Sequence, residues 1–240
     1  MKCLIIAAGF GSRLRSRSSC KPLTPVGGRP LIEHVARAAV AAGASELVVA
    51  TGHEADRLEA FLAALGGQLE APLRCVRTSD WSRPNGFTVV TGAERIEGDY
   101  LLLMADHLFD PRIARNLIQL GSGGYGVRLA VDRNVADPSL DLDDATKVAV
   151  GDDGRIVAIG KGLTAYDAID TGIFLATPAL REALIESVRR GGGGSLSEGV
   201  QLLADRGRAG TMEIGGADWL DVDDPASLML AEQRLARFAI

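Results

Sequence analysis

A loop rich in glycine and in cations is the part of this sequence best suited to binding a charged ligand. It runs from Gly9 to Lys21, directly after the apolar run 3–7, and neither Asp nor Glu occurs before Glu33. The basic residues of the first 32 positions are Lys2, Arg13, Arg15, Arg17, Lys21 and Arg29. Backbone N–H groups of a glycine-rich turn point at an anion, and side-chain cations neutralise it. The loop therefore predicts a polyphosphate site, in a chain of 240 residues whose net charge is −5.

Two common glycine motifs do not fit this loop. A dinucleotide fingerprint needs a third glycine, where this chain has Leu14, and an acidic residue after the second strand, where it has Thr51 and Gly52. A Walker loop needs Gly-Lys followed by Ser or Thr after a four-residue gap, which this loop lacks. NAD binding and P-loop hydrolysis are therefore disfavoured.

Three carboxylates downstream are candidates for holding a divalent cation beside the loop. Asp106 follows the apolar run 100–105, and ligands of open α/β sheets bind at the carboxyl ends of strands. Asp221 and Asp223, in WLDVDDP, lie on one face if a strand continues through both, so either or both can complete the site. Mg²⁺ favours one or two carboxylates together with phosphates. We therefore predict a Mg²⁺ site at these three residues and a helix N-cap at Asp224.

The elements that must position these residues follow an alternating pattern of strands and helices. Apolar runs at 3–7, 46–51, 73–76 and 100–105 predict strands, and the amphipathic segments between them predict helices. This order is typical of an α/β fold with a doubly wound, mostly parallel, Rossmann-like sheet and right-handed crossovers. The turn-rich stretch 78–86 is then a loop at the edge where ligands bind.

After residue 124 the pattern changes to shorter strands. A hairpin turn is predicted at 152–154, and the glycine run 191–194 is predicted to link two helices, the second opening on a capping box at Ser195. The further strands are predicted at 125–132, 146–150, 155–159, 169–176, 211–214 and 219–222, with a terminal helix at 224–238. We predict one domain, with a small mixed-strand lobe inserted at about 125–215.

Composition argues against several other classes of protein. Cations that cluster locally in an acidic chain do not suit nucleic-acid binding. No apolar run approaches the roughly 18 residues that span a bilayer, and the apolar start is too short for a secretory signal. Three cysteines without paired spacing fit a reducing cytoplasm. Three histidines without nearby partners, His107 among them, argue against a histidine-bound metal.

The motifs described above are similar to those of a known family. AAGFGSRL followed by KPL resembles the signature of sugar-1-phosphate and alcohol-phosphate nucleotidyltransferases, the MobA-like NTP transferases. The resemblance implies a fold of the nucleotide-diphospho-sugar transferase type. It also implies that Arg13 and Lys21 are catalytic and bind the β/γ- and α-phosphates of an NTP. Arg15 and Arg17 lie outside the motif, so we expect solvated or auxiliary roles for them. The family's two-carboxylate magnesium site maps onto Asp106 and the 221–223 segment, chiefly Asp223.

The same resemblance indicates where the nucleotide would bind. PNGFT at 84–88 matches the position of the family's base-reading loop, where backbone groups recognise a pyrimidine. An ordinary turn at the start of a helix is the alternative interpretation of this stretch. The predicted nucleotide-binding residues are Ala7, Ala8, Gly9, Gly11, Ser12, Asn85, Gly86 and Thr88.

Motifs further along the chain indicate a particular group within this family. ADH at 105–107, DATKV at 144–148 and the run from IGK to DTG at 159–172 resemble CTP:inositol-1-phosphate cytidylyltransferases. The resemblance extends over most of the chain. It implies that 1–124 mainly binds nucleotide, that 125–215 mainly binds the acceptor, and that 216–240 closes the domain. The implied acceptor-binding residues are Lys147 and Lys161, which would hold the phosphate, and Asp170, Thr171 and Gly172, which would line the inositol pocket. For Lys147, a strand lysine that faces solvent is the alternative.

The expected reaction is cytidylyl transfer from CTP to inositol 1-phosphate, with Mg²⁺ as cofactor. The second pKa of a phosphate monoester is near ~6, so the attacking group is already a dianion and needs no general base. The alternatives are phosphocholine, a phosphonate or a sugar 1-phosphate as acceptor, or a catalytically inactive regulator that binds nucleotide or sugar phosphate. The expected partners are small molecules, with a homodimer as an option. Some relatives carry a fused membrane-embedded phosphotransferase; we expect that step to lie elsewhere, so that membrane association is not implied here.

Overall fold

The first strand is an interior strand of the sheet around which the chain folds. A computed structural model describes residues 1–14 and 18–238, and β1 covers Lys2–Ala7. Its side chains alternate between two apolar layers, with Ile5 packed in one and Leu4 in the other. A strand buried on both faces is what the continuous apolar run predicts.

The described part of the chain contains thirteen strands and seven α-helices. After β1 the strands are β2 (Pro25–Val26), β3 (Arg29–Pro30), β4 (Glu46–Thr51), β5 (Leu73–Arg77), β6 (Tyr100–Met104), β7 (His107–Phe109), β8 (Val127–Asp132), β9 (Lys147–Val150), β10 (Ile156–Gly160), β11 (Ala168–Ala176), β12 (Ala209–Glu213) and β13 (Trp219–Asp221). The helices are α1 (Leu31–Ala41), α2 (Ala55–Gly66), α3 (Asn85–Ala93), α4 (Pro111–Leu120), α5 (Pro178–Arg189), α6 (Leu196–Ala204) and α7 (Pro225–Arg234).

The main sheet has a parallel half and an antiparallel half. Its strand order is β10-β9-β11-β6-β1-β4-β5, with β8 pairing with β11 and with β12. β6, β1, β4 and β5 run parallel, whereas β11 is antiparallel to β6. The predicted α/β class and the parallel Rossmann-like centre are therefore confirmed. The carboxyl ends of β1 and β6 are neighbours, and this places the first loop next to Asp106.

The strands of the 125–215 segment continue this same sheet. β11 pairs with β6, β8 and β9, and so joins the later strands to the parallel half through backbone hydrogen bonds. The predicted hairpin is present between β9 and β10, with Gly154 at φ +75° in its turn. The glycine run links α5 to α6, and Ser195 forms a capping box with Glu198, as predicted.

A small second sheet was not expected from the sequence. The apolar run 100–105 was expected to end simply at Asp106 and His107, but after a tight turn the chain enters β7, which pairs antiparallel with β13. Leu14 of the first loop, Ala231 of α7 and Phe238 after α7 lie in one apolar cluster with Leu108 and Leu220 of this pair. The predicted N-cap is confirmed, since the Asp224 carboxylate accepts a hydrogen bond from the Ser227 backbone.

Among the helices of residues 1–14 and 18–238, none combines the length and the apolar character that crossing a bilayer requires.

Candidate active site

One glycine allows the cationic loop to fold against itself. Gly11 has φ +59°, and a Cβ at that position would overlap the side chain of Lys21. Only glycine adopts this backbone conformation freely and leaves that space open. Arg13, on a single turn of 3₁₀ helix, and Lys21 are thereby held together at the carboxyl end of β1. Arg15 and Arg17, for which auxiliary roles were expected, lie outside the described residues.

Lys21 lies between two carboxylates. Its side chain is 7% exposed, and Nζ donates to Oδ2 of Asp106 at 2.5 Å and to Oδ1 of Asp223. Arg13 pairs with the other oxygen of Asp223, and its Nη2 lies 2.6 Å from Oδ2 of Asp144. The structure therefore brings together Arg13, Lys21, Asp106 and Asp223, which lie far apart in the sequence.

Asp221 and Asp223 have different neighbours. β13 ends at Asp221, so the continuous strand assumed from the sequence does not reach Asp223. Asp223 contacts the two cations of the loop, whereas Oδ1 of Asp221 lies 3.7 Å from Nδ1 of His107. That oxygen is buried without a hydrogen-bond partner among the described residues. A buried carboxylate oxygen without a donor is energetically costly and suits a site that receives a ligand.

The buried charges strongly perturb one another. Burial alone would raise the pKa of Asp106, but the Lys21 ammonium and the hydrogen bond from His107 outweigh it, and the pKa falls well below its usual range. Burial lowers the pKa of His107, yet the Asp221 and Asp106 carboxylates outweigh it and raise the pKa to about 9. Burial raises the pKa of Asp221. Asp106 is therefore ionised at neutral pH, as a cation ligand must be.

The donor set fits a divalent cation. One ligand atom each from Asp106, His107 and Asp221 can be chosen so that all lie within 4.8 Å of one another. The expectation that His107 has no neighbouring partner is therefore wrong, because β7 and β13 place it opposite Asp221. Carboxylate oxygens such as these are the ligands that Mg²⁺ prefers. Asp223 adds a further carboxylate that shares Lys21 with Asp106.

Two adjoining cavities meet at this cluster. The smaller, of about 310 Å³, is lined by the first loop and includes the predicted Ala7, Gly9, Gly11 and Ser12 together with Lys21. The larger, of about 730 Å³, is lined by residues from β7, β11, β13 and the segment before β9. Arg13, Asp106 and Asp223 line both cavities. Ala8 is buried, and its carbonyl oxygen accepts a hydrogen bond from the His53 backbone.

The predicted base-reading residues lie at the start of α3. Asn85 lines the larger cavity, and its Oδ1 accepts a hydrogen bond from the Leu196 backbone at 2.8 Å. Gly86 packs directly against the backbone at Gly194, and a Cβ would overlap it, so the glycine is required by packing alone. Thr88 is buried. Contact of these residues with a nucleotide base remains a prediction.

The five predicted acceptor residues divide into two groups. Lys161, Asp170 and Gly172 line the larger cavity. Lys147 and Thr171 are not among its lining residues: the Lys147 ammonium donates to the Lys161 carbonyl at 2.7 Å, and the Thr171 hydroxyl donates to the Ala130 carbonyl at 2.8 Å. Alternation along β11 explains the difference between Asp170 and Thr171, since successive side chains leave a strand on opposite faces.

Asp144 has a position that sequence reasoning missed. Its two carboxylate oxygens bind different cations, Oδ2 meeting Arg13 and Oδ1 meeting Nζ of Lys161 at 2.5 Å. It therefore connects the cation of the first loop with a cation of the acceptor segment. The signal is present in the sequence, because Asp144 begins the DATKV motif in which the resemblance points to Lys147.

Comparisons with known proteins indicate the family of this chain. A model of the MobA-like NTP transferase domain matches residues 3–140. A bifunctional IPC transferase and DIPP synthase of Rubrobacter xylanophilus is 33% identical over 98% of this chain and 52% of its own length. The protein of the same name from Archaeoglobus fulgidus is 30% identical, over 100% of this chain and 45% of its own length. The chain thus spans about half the length of these curated relatives.

A solved structure supports the fold. The inositol-1-phosphate CTP transferase from T. maritima superposes with a TM-score of 0.87 at 23% identity, covering 99% of this chain and 95% of that one. At this level of identity the similarity establishes the architecture alone. The match to the family model, in contrast, includes the whole first loop and Asp106 and extends over more than half of the sequence. The protein therefore belongs to the MobA-like NTP transferase domain family, the group of nucleotidyltransferases predicted from its first loop.

Proposed function

We propose that this protein transfers a cytidylyl group from CTP to inositol 1-phosphate, giving CDP-inositol and pyrophosphate. The observation that carries the proposal is the meeting of two cavities at Arg13, Asp106 and Asp223. One cavity has the glycine-rich cationic loop that a triphosphate needs, and the other is large enough for a second small substrate. Relatives at 30–33% identity bear the name IPC transferase, which supports an acceptor of this kind.

The proposed reaction joins two anions and needs no general base. An oxygen of the acceptor's phosphate forms a bond to the α-phosphorus of CTP, and the bond from that phosphorus to the departing pyrophosphate breaks. The attacking oxygen already carries negative charge at neutral pH. In this proposal Lys21 binds the α-phosphate and Arg13 the β- and γ-phosphates. Catalysis then comes from alignment and from preorganised positive charge.

We propose that Mg²⁺ is the cofactor, bound by Asp106 and Asp223 with Asp221 as the further candidate. Such an ion, when bound, neutralises phosphate charge and orients the reacting groups. Support comes from the Lys21 ammonium, which contacts both Asp106 and Asp223, because these contacts place the two carboxylates close to one positive charge. The low pKa of Asp106 keeps it ionised for this role.

The acceptor is proposed to bind in the larger cavity. Asp170 and Gly172 would face the inositol hydroxyls, and Lys161 its phosphate, with Lys147 and Thr171 supporting from beneath. In this proposal residues 1–124 mainly bind CTP, with Asn85, Gly86 and Thr88 reading the base, and 125–215 mainly bind the acceptor. The three free cysteines suit a reducing cytoplasm as the compartment of the reaction.

A direct assay tests the proposal. Pyrophosphate release is measured with CTP and Mg²⁺ against inositol 1-phosphate, glucose 1-phosphate, phosphocholine and 2-aminoethylphosphonate, and the product is identified by ³¹P NMR. We expect turnover with inositol 1-phosphate at least tenfold above the other acceptors, and none in EDTA. Preferred turnover of another acceptor would replace the inositol assignment. CTP binding with no turnover on any acceptor would instead indicate a regulator.

A further inference from the structure

His107 is enclosed on several sides beside the carboxylate cluster. It begins β7, directly opposite Asp221 of β13 in the register of the small sheet. Its side chain is 14% exposed, and the ring stacks on Trp219 with centroids 6.1 Å apart and planes 20° apart. Nδ1 lies 2.8 Å from Oδ1 of Asp106. The neighbours of the ring therefore come from β13 and from the turn between β6 and β7.

The space for the ring depends on Gly172. This residue has φ +74°, and a Cβ there would lie 2.5 Å from Cδ2 and 2.8 Å from Nε2 of His107. Both the left-handed backbone and the close approach require glycine. Gly172, the glycine of the DTG motif in β11, therefore leaves room for the imidazole, whether or not it also contacts the acceptor.

Trp219, which stacks on the His107 ring, is itself held in place by a hydrogen bond. The Trp219 indole N–H donates to Oδ2 of Asp132 at 2.8 Å, and Oδ1 of Asp132 accepts a hydrogen bond from the Asn134 backbone. Asp132, at the end of β8, therefore orients the indole, and the indole orients the imidazole. These contacts leave Nδ1 directed at Asp106.

These contacts determine the orientation of the Asp106 carboxylate. Its Oδ1 meets the Nδ1–H of His107, and its Oδ2 meets Lys21 at the nucleotide side. The terminal torsion of an aspartate has a broad energy minimum, so an unrestrained carboxylate turns easily. One hydrogen bond to Oδ1 is enough to direct Oδ2 towards the first loop. Outer hydrogen bonds of this kind to a metal-ligating carboxylate are worth about 10- to 100-fold in metal affinity.

We propose that His107 is a positioning residue, whose Nδ1–H holds one oxygen of Asp106 so that the other faces the cation bound with the nucleotide. This inference rests on the proposed function insofar as Asp106 is taken to be a metal ligand. In this proposal His107 does not bind the cation itself, but forms a hydrogen bond to Asp106, which does. In the group of Asp106, His107 and Asp221, the two carboxylates then remain candidate ligands, and His107 supports Asp106.

Three substitutions separate positioning from packing. In His107→Asn the amide N–H₂ lies near the place of Nδ1 and keeps the donor. In His107→Gln the amide reaches further, near the place of Nε2, and His107→Leu removes the donor. Thermal unfolding confirms which variants are folded, and the Asn and Gln pair, equal in polarity, remains informative if the Leu variant is not.

The readout is Mn²⁺ binding followed by EPR in the presence of α,β-methylene-CTP, with no acceptor and no turnover. We expect His107→Asn to bind within about threefold of the wild type, and Gln and Leu to bind at least tenfold more weakly. Equal affinity in folded Leu and wild-type proteins, or an Asn variant as weak as Gln, would overturn the proposal. So would a wild-type protein that binds no Mn²⁺ with any nucleotide analogue.

A parallel series with the UTP analogue separates this inference from the proposed function. The same order of the variants with the UTP analogue, combined with weak binding of the CTP analogue, would support the role of His107 and contradict cytidylyl transfer. A wrong acceptor leaves the titration unchanged, since none is present.

Discussion

The end of the site that we propose to bind nucleotide, called the nucleotide end, and the side that we propose to bind the acceptor, called the acceptor side, hold their charges in different ways. At the nucleotide end, which comprises Arg13, Lys21, Asp106 and Asp223, side chains of opposite charge contact one another directly. On the acceptor side, which comprises Lys147, Lys161 and residues 170–172, Lys161 pairs with Asp144, but backbone groups contact the other two charges. Asp170 accepts a hydrogen bond from the Gly172 N–H, and Lys147 donates one to a carbonyl.

This difference follows from how each region is assembled. The cations of the nucleotide end come from one loop and close on two carboxylates, so the region carries a balanced charge. Asp170 is partly buried and, among the described residues, has no cation in hydrogen-bond contact, and its removal from solvent raises its pKa to about 6. Paired charges that are already in place, as at the nucleotide end, suit the stabilisation of a transition state. A carboxylate such as Asp170, whose ionisation in the folded protein costs free energy, suits the binding of a particular ligand. Substitutions should therefore affect turnover most at the nucleotide end.

The largest effect is expected for Asp106→Asn. The substitution removes a carboxylate that contacts both Lys21 and His107 and would hold the cation, so we expect kcat to fall about 10³-fold or more. The matched control is Asp218→Asn, an aspartate of the same cavity whose side chain pairs with Arg237 at 3.5 Å. Steady-state kinetics should show less than a twofold change for the control. A variant of Asp106 with near-normal turnover would remove it from the reaction centre.

A smaller and more selective loss is expected for Arg13→Ala. The guanidinium lies between the two cavities but belongs to the first loop, so we expect kcat/KM for CTP to fall about 100-fold, with a much smaller change in the KM for acceptor. Lysine at this position should recover part of the loss, since it keeps the charge without the planar fork. Equal effects on both substrates would place Arg13 at the acceptor as well.

Part of the nucleotide end was accessible from sequence, because the signals of its loop and of Asp106 are each local. Gly11, Arg13 and Lys21 lie within one loop. Asp106 directly follows an apolar run that predicts a buried strand, which places it at the edge of the sheet where ligands bind. The β7–β13 pair could not be foreseen, because three-residue strands have too few positions for a periodic signal. The role of Asp144 and the surroundings of His107 depend on contacts between distant segments, which residue types alone do not indicate.

A comparison of two lysines tests which residue of the acceptor side binds the acceptor's phosphate. Lys161 is 59% exposed at its side chain and lines the cavity, whereas Lys147 is buried and bonded to the carbonyl of Lys161. We expect Lys161→Ala to raise the KM for acceptor about tenfold and to leave the KM for CTP within twofold. Lys147→Met, of similar length, should act mainly through stability and change the same KM less. The reverse order would show that Lys147 holds the acceptor's phosphate.

The smallest effect expected is a gain in stability from Asp170→Asn. The pKa of Asp170 lies at about 6 in the folded protein, above its ordinary value of 3.8, because burial opposes ionisation. The folded state therefore binds this proton more tightly than the unfolded state. Its destabilising contribution is absent below pH 4, grows as the pH rises towards 6, and is complete above that.

Asparagine keeps an acceptor for the Gly172 N–H but carries no charge, so it removes this cost. The shift sets an upper limit of roughly 3 kcal/mol at neutral pH, and solvent in the open cavity should reduce the gain to about 1 kcal/mol, or about 2–4 °C in Tm. Thermal unfolding of both proteins at pH 7.5 and pH 4 measures it, with a difference that shrinks at the lower pH. If the variant were more stable by the same amount at both pH values, the ionisation of Asp170 would not be the cause. Weaker use of the acceptor in the stabilised variant would show that this buried charge is retained for recognition.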